Sequence, residues 1–187
     1  MSGAAGMTAR RGPEVLAPAG DRDCLAAAVA GGADAVYLGL RHFNARGRAG
    51  NFKTDALVDD VAFLHGHGLR CYVVFNTLLH DDEYPKAGVL AQAAVAAGVD
   101  AVIVQDLGLW RQLGRSYPEL ERHASTQMTV HEPEQIRALA ALGAKRIILA
   151  RELELEEVAA CCAAARDCGI EVEHFVHGAL CYAFSGQ

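Results

Sequence analysis

Cys181 and His177 stand four residues apart in VEHFVHGALCYAFSGQ, a segment that opens on an apolar run and carries Glu173 as its acid. A thiol within reach of an imidazole can serve as a nucleophile whose proton the histidine removes. A thiolate can equally ligate a metal. One cysteine cannot hold an iron–sulfur cluster, so that second chemistry needs ligands from elsewhere. The other five cysteines, Cys24, Cys71, Cys161, Cys162 and Cys168, fall in helical or strand patterns and read as small buried hydrophobes.

A second group is basic. RHFNARGRAGNFK places Arg41, Arg46, Arg48 and Lys53 among Asn44, Asn51, Phe43 and Phe52. Guanidinium forks match phosphate and carboxylate bidentately, so this tract could bind an anion. It could also be a solvated loop with two aromatic anchors. Asn76, Gln105, Gln127 and Arg151 add amides and a further cation at the ends of apolar runs. Two protease signatures fail: Gln135 stands where HExxH needs its second histidine after His131–Glu132, and Phe184–Ser185–Gly186 is no GxSxG elbow.

The chain of 187 residues is 52% hydrophobic with a formal net charge of -6, enough apolar matter for one sizeable core. The acidic balance argues against a protein that coats nucleic acid non-specifically, though not against a local basic patch. No CxxC pair or zinc spacing occurs, which suits a reducing compartment, and the expected location is cytoplasmic. Residues 1–12 read as a disordered tail without a signal peptide, and no apolar run is long enough for a membrane span.

What must position these groups is a recurring junction in which a helix ends at glycine and a buried strand follows at once. It appears in GGADAVYLGL, AGVDAVIVQD, LGAKRIILAR and CGIEVEHFVH. Strands are predicted at Glu14–Ala17, Ala35–Leu40, Arg70–Phe75, Ala101–Val104, Glu121–Ala124, Arg146–Leu149 and Glu171–Val176. Helices are predicted at about Asp21–Ala30, Asp55–His67, Pro85–Ala97, Leu107–Ser116, Pro133–Leu142 and Leu153–Asp167. Strict alternation implies parallel strands. An α/β, TIM-like β/α barrel is favoured over a doubly wound sheet, because the first turn, APAGD, lacks a GxGxxG fingerprint. The chain is short of the roughly 250 residues of a closed eight-unit barrel. The expectation is therefore an incomplete barrel domain over residues 13–187, with an unpaired last edge. A barrel site lies at the C-terminal strand ends, where Asn76, Gln105, Gln127, Arg151 and Cys181 would meet.

Those same segments, PEVLAPAG, GADAVYLGL, FNARGRAGNF, NTLLHDDE, HASTQMT, ILAREL and above all VEHFVHGALCYAFSGQ, resemble in order the signature blocks of the collagenase-like peptidase U32 family. The resemblance runs from about Pro13 to Gln187. It implies either proteolysis or oxygen-independent hydroxylation of tRNA, rRNA or a small aromatic quinone precursor. In the second case four cysteines hold a 4Fe-4S cluster and prephenate can supply the hydroxyl group. By resemblance Cys181 is the first cluster ligand, the next would follow Gln187, and Glu173, His177, Asn76, Gln127 and Arg151 match family blocks. Arg41, Asn44, Arg46, Arg48, Asn51 and Gln105 would contact substrate. Hydroxylation is the favoured expectation and collagenase-like peptidolysis the alternative. A third reading is a non-catalytic or truncated product that needs a partner subunit or a C-terminal domain, and the chain alone is expected to be inactive.

Overall fold

The computed structural model describes residues 12–45, 51–178 and 184–186. Of the expected tail, residues 1–12, all but Gly12 lie outside them. Seven strands, β1 (Leu16–Ala19), β2 (Ala35–Gly39), β3 (Arg70–Phe75), β4 (Ala101–Val104), β5 (Glu121–Ala124), β6 (Arg146–Ile148) and β7 (Glu171–Glu173), form one sheet in chain order. Every adjacent pair is parallel. Between them run α1 (Arg22–Ala30), α2 (Leu57–Gly66), α3 (Tyr84–Ala96), α4 (Leu107–Ser116), α5 (Pro133–Ala141) and α6 (Leu155–Cys168).

Strand order without reversal decides between the two architectures. A doubly wound sheet must reverse its order at a switch point; this sheet never does. Apolar burial agrees. One core joins helix residues such as Leu25, Leu64, Ala91, Leu113, Ile136 and Cys161 to the outward strand residues. A second, inner cluster of Ala35, Tyr72, Val74, Ala101, Ile103 and Ile148 comes from strands alone. Helices on one face and a strand-lined interior on the other make this an incomplete β/α barrel.

Local chemistry explains the junctions. Gly98 (φ 79°) and Gly169 (φ 68°) take the left-handed conformation that ends α3 and α6, so the chain turns directly into the next strand. β2 and β6 each end one residue earlier than predicted, and two strands differ by more. β1 lies two residues later than predicted and includes Pro18, tolerated because β1 is an edge strand that pairs on one side among the described residues. β7 ends at Glu173 rather than Val176, and Val176 is exposed.

The displacement of β1 frees Glu14 to enter the barrel floor. Arg146, at the start of β6 and 5% exposed, donates to Glu14 at 2.6 Å and to Glu171 at 2.6 and 2.9 Å. Arg70 also pairs with Glu14, and the Tyr72 hydroxyl donates to Glu14 at 3.0 Å. The Arg70 and Arg146 guanidiniums lie 5.6 and 5.4 Å from the Tyr72 ring, and His123 meets that ring edge-on at 4.8 Å. Burial, reinforced by Arg146, Arg70 and Lys145, pushes the His123 pKa down to about 3, so this imidazole stays neutral. Neither of its ring nitrogens has a hydrogen-bond partner among the described residues.

Removing one member of a buried ion cluster strands the others without compensation. Arg146→Ala is therefore expected to cost about 3–5 kcal/mol of unfolding free energy. Urea unfolding checks this, and a loss below about 1 kcal/mol would contradict a closely coupled floor.

Candidate active site

The strands' C-terminal ends surround a cavity of about 200 Å³. Its floor is apolar, built from Tyr37, Val74, Ile103 and Ile148, which alternate along their strands with outward core residues, and from Phe175 just beyond β7. Its polar lining comes from four loops: Asn44 and Asn51 after β2, Asn76 after β3, Ser125–Gln127 after β5, and Arg151 after β6. Glu173 of β7 supplies a carboxylate from below.

Each loop is held for a local reason. After β2, Leu40 and Phe52 form a parallel bridge and the Phe52 amide donates to the Gly39 carbonyl at 3.0 Å, so the loop closes on itself. Gly39 leaves room for Asn44, whose Cγ would sit 2.8 Å from any Cβ there. Asn44 donates to the Leu40 carbonyl, while its buried Oδ1 has no partner among the described residues. The Ala45 amide donates to Asn76 Oδ1 at 2.9 Å and ties the β2 loop to the β3 loop. After β5, Ser125 caps the short 3-10 turn Thr126–Met128 by accepting from the Gln127 amide at 3.1 Å. Thr126 Oγ1 reaches across to the Leu149 carbonyl at 3.0 Å.

A further clasp comes from the segment after β7. The Ser185 amide and hydroxyl donate to the two carboxylate oxygens of Glu152 at 2.6 and 2.9 Å, and Thr129 Oγ1 donates to the Ser185 carbonyl at 2.5 Å. Thr129 itself has φ 55°, an unusual conformation for a β-branched residue. Gly186 (φ 89°) passes so close that a Cβ would lie 2.6 Å from the Gln127 carbonyl oxygen. The turn is thereby pinned to the loops after β5 and β6.

Electrostatics divide the acids. Burial raises the pKa of Glu173, against the opposing pull of Arg146 3.5 Å away, so this carboxyl holds its proton longer than usual. A protonatable acid at the base of a polar cavity is suited to proton transfer. Glu152 shifts the other way: partial burial opposes its charge, but the Ser185 hydrogen bonds outweigh that and lower its pKa. Arg151 lies over the Phe175 ring, 5.2 Å from its centroid.

Of the residues singled out in sequence, Asn44, Asn51, Asn76, Gln127, Arg151 and Glu173 converge on the cavity. Gln105 does not line it; its Nε2 donates to the Gln127 carbonyl at 3.2 Å and supports the β5 loop. His177 is exposed beyond β7, and Arg41 faces a separate depression. Arg46, Arg48 and Cys181 lie outside the described residues. Phe175 and Tyr37 were not singled out; Tyr37 takes an inward position by strand alternation, and Phe175 lies two residues beyond the end of β7. Glu152 and Ser185 had no local signal pairing them.

No group of three or more metal-ligating side chains occurs among the described residues, and Cys181, the cluster ligand that the resemblance implies, lies outside them. The described cysteines sit on helices or on β3, away from the cavity lining. Burial pushes the Cys71 thiol up to about 12, which makes it inert.

A family model for peptidase family U32 matches residues 20–187. The chain belongs to peptidase family U32. This U32 chain is 42% identical over 174 residues to a protein of Escherichia coli named 23S rRNA 5-hydroxycytidine C2501 synthase, covering 93% of the chain and 26% of that relative. It is 34% identical to tRNA hydroxylation protein P1 of Bacillus subtilis, covering 94% of the chain and 41% of the relative. It is also 33% identical to a collagenase of Porphyromonas gingivalis, covering 93% and 44%. The chain thus spans less than half the length of these relatives. A solved U32 peptidase structure superposes with a TM-score of 0.68 at 21% identity, covering 90% of this chain and 70% of that one, and supports the barrel fold.

The Glu152 clasp has a pH signature. A carboxylate with a lowered folded-state pKa stabilises the fold above its unfolded pKa, and this contribution is lost as pH falls through the folded value. The Ser185 amide should be protected from hydrogen exchange at neutral pH and lose protection on acidification. In Glu152→Ala it should be unprotected throughout, and unchanged protection in that variant would contradict the clasp.

Proposed function

We propose that this protein hydroxylates RNA bases, with the cavity as the place where the base is held. The observation that carries the reading is the lining itself: an aromatic and aliphatic floor under amide groups, with a cation on one side and a proton-holding carboxyl below. Such a site suits a planar heterocycle with hydrogen-bonding edges, which must leave its stack to be modified. Phe175 and Tyr37 offer ring surfaces. Asn76 and Gln127 can read the base edge, and the unpaired Asn44 Oδ1 can accept from it. The names of the rRNA and tRNA relatives support this substrate class.

Arg151 is proposed as the partner of an anionic hydroxyl donor, for which prephenate has the needed carboxylates. Glu173 exchanges a proton with the bound ring. A 4Fe-4S cluster, held by Cys181 and by thiolates outside the described residues, would supply electron transfer when bound. No described helix is long and apolar enough to cross a membrane. We place the reaction in the cytoplasm, where RNA is available.

Mass spectrometry of nucleosides from rRNA and tRNA tests the reading. A strain lacking the gene should lose one hydroxylated nucleoside, and re-expression should restore it. An unchanged nucleoside profile, together with gelatin cleavage by the purified protein, would replace hydroxylation by the peptidase activity that the collagenase relative's name suggests.

A further inference from the structure

A second depression, about 490 Å³ and open to solvent, is bordered by the two ends of the β2 loop and shares no lining residue with the cavity. Arg41, His42, Lys53, Thr54, Asp55 and Leu90 line it. Its geometry follows from one contact. The Leu40–Phe52 bridge brings the two ends of the loop together, so the next residue on each side, Arg41 and Lys53, projects from neighbouring backbone positions. Both are exposed, and neither forms an ion pair among the described residues. Asp55 borders the same depression, leaving two permanent cations against one carboxylate on a chain whose formal net charge is -6. Asn44 and Asn51 of this same loop line the cavity, so the loop is a wall common to both sites.

We propose that Arg41 and Lys53, with the His42 ring beside them, bind backbone phosphate of the RNA strand flanking the nucleotide held in the cavity. This deepens the RNA reading and rests on it. A base that enters the cavity leaves its phosphates at the mouth, and the loop that lines the cavity through Asn44 and Asn51 also carries Arg41 and Lys53 at its ends. Solvent-facing cations in an open, polar depression are suited to phosphate, which keeps most of its hydration and is bound through charge. The guanidinium of Arg41 can fork onto two phosphate oxygens while the Lys53 ammonium acts as a point charge. The two sites then divide the work, with the cavity reading the base and the depression setting the position of the strand.

The test is fluorescence anisotropy of a labelled single-stranded oligoribonucleotide of mixed sequence, titrated with the full protein across a salt series. Abolishing one ion pair with phosphate should flatten the plot of log affinity against log salt by about 0.7. Arg41→Gln and Lys53→Gln should each do so, and the double variant should flatten it by about 1.4. Arg41→Lys with Lys53→Arg should retain the wild-type slope. Circular dichroism melting confirms that the exposed substitutions leave the fold intact, and the two single variants carry the test if the double variant does not fold. RNA binding with an unchanged slope in the Gln variants overturns the phosphate site and leaves the RNA reading standing. No binding of RNA by the wild-type protein overturns both.

Discussion

Arg146 is the interaction on which this barrel depends. Its guanidinium spans the interior from Glu14, just before the first strand, to Glu171 and Glu173 on the last. Between β1 and β7 the described residues form no ladder, and these ion pairs link the two edges of the sheet across the floor, beside the inner apolar cluster that Leu16 and Phe175 also join. A buried ion cluster contributes little net stability compared with apolar packing, because desolvation offsets most of the attraction. Its effect is on geometry: Arg146 reaches Glu14, 132 residues away in sequence, and Glu14 is held in turn by Arg70 and the Tyr72 hydroxyl.

That arrangement carries through to the site. Glu173 faces Arg146 below and the cavity above, so burial raises its pKa while the same floor that links the edges opposes that rise. Phe175, two residues further along the chain, presents its ring to the cavity and to Arg151. Above this level the loops are linked pairwise, β2 to β3 through Ala45 and Asn76, and β5 to β6 through Thr126 and Leu149. The Glu152–Ser185 clasp then returns the segment after β7 to that rim. Polar groups drawn from different strand ends are thus held by hydrogen bonds between loops, as precise substrate positioning requires.

Much of the fold was legible because its signals are local. GGADAVYLGL contains both the glycine that ends α1 and the buried run that becomes β2, and β3, β4 and β5 have the predicted limits. β1 lies two residues later than predicted, and Glu14 just before it is held by Arg70 and Arg146, which are remote in sequence and leave no local signal. The site was legible to the extent that strand ends could be read. Asn76, Gln127 and Arg151 met as expected, whereas Gln105 turned to support Gln127 and Arg41 fell beyond the closed loop. Family resemblance added Glu173 and the meaning of the Cys181 segment, while Arg146 had only the faint signal of a charge opening a buried strand. Pairing Glu152 with Ser185 required three-dimensional coordinates.

The proposed place of reaction is the cavity above Glu173. The most direct measurement is complementation of a deletion strain with Asn76→Ala and Glu173→Gln chains expressed at wild-type soluble levels, read by mass spectrometry of RNA nucleosides. The wild-type chain should restore the hydroxylated nucleoside, and neither variant should do so. Full restoration by both variants would contradict a reaction at this cavity.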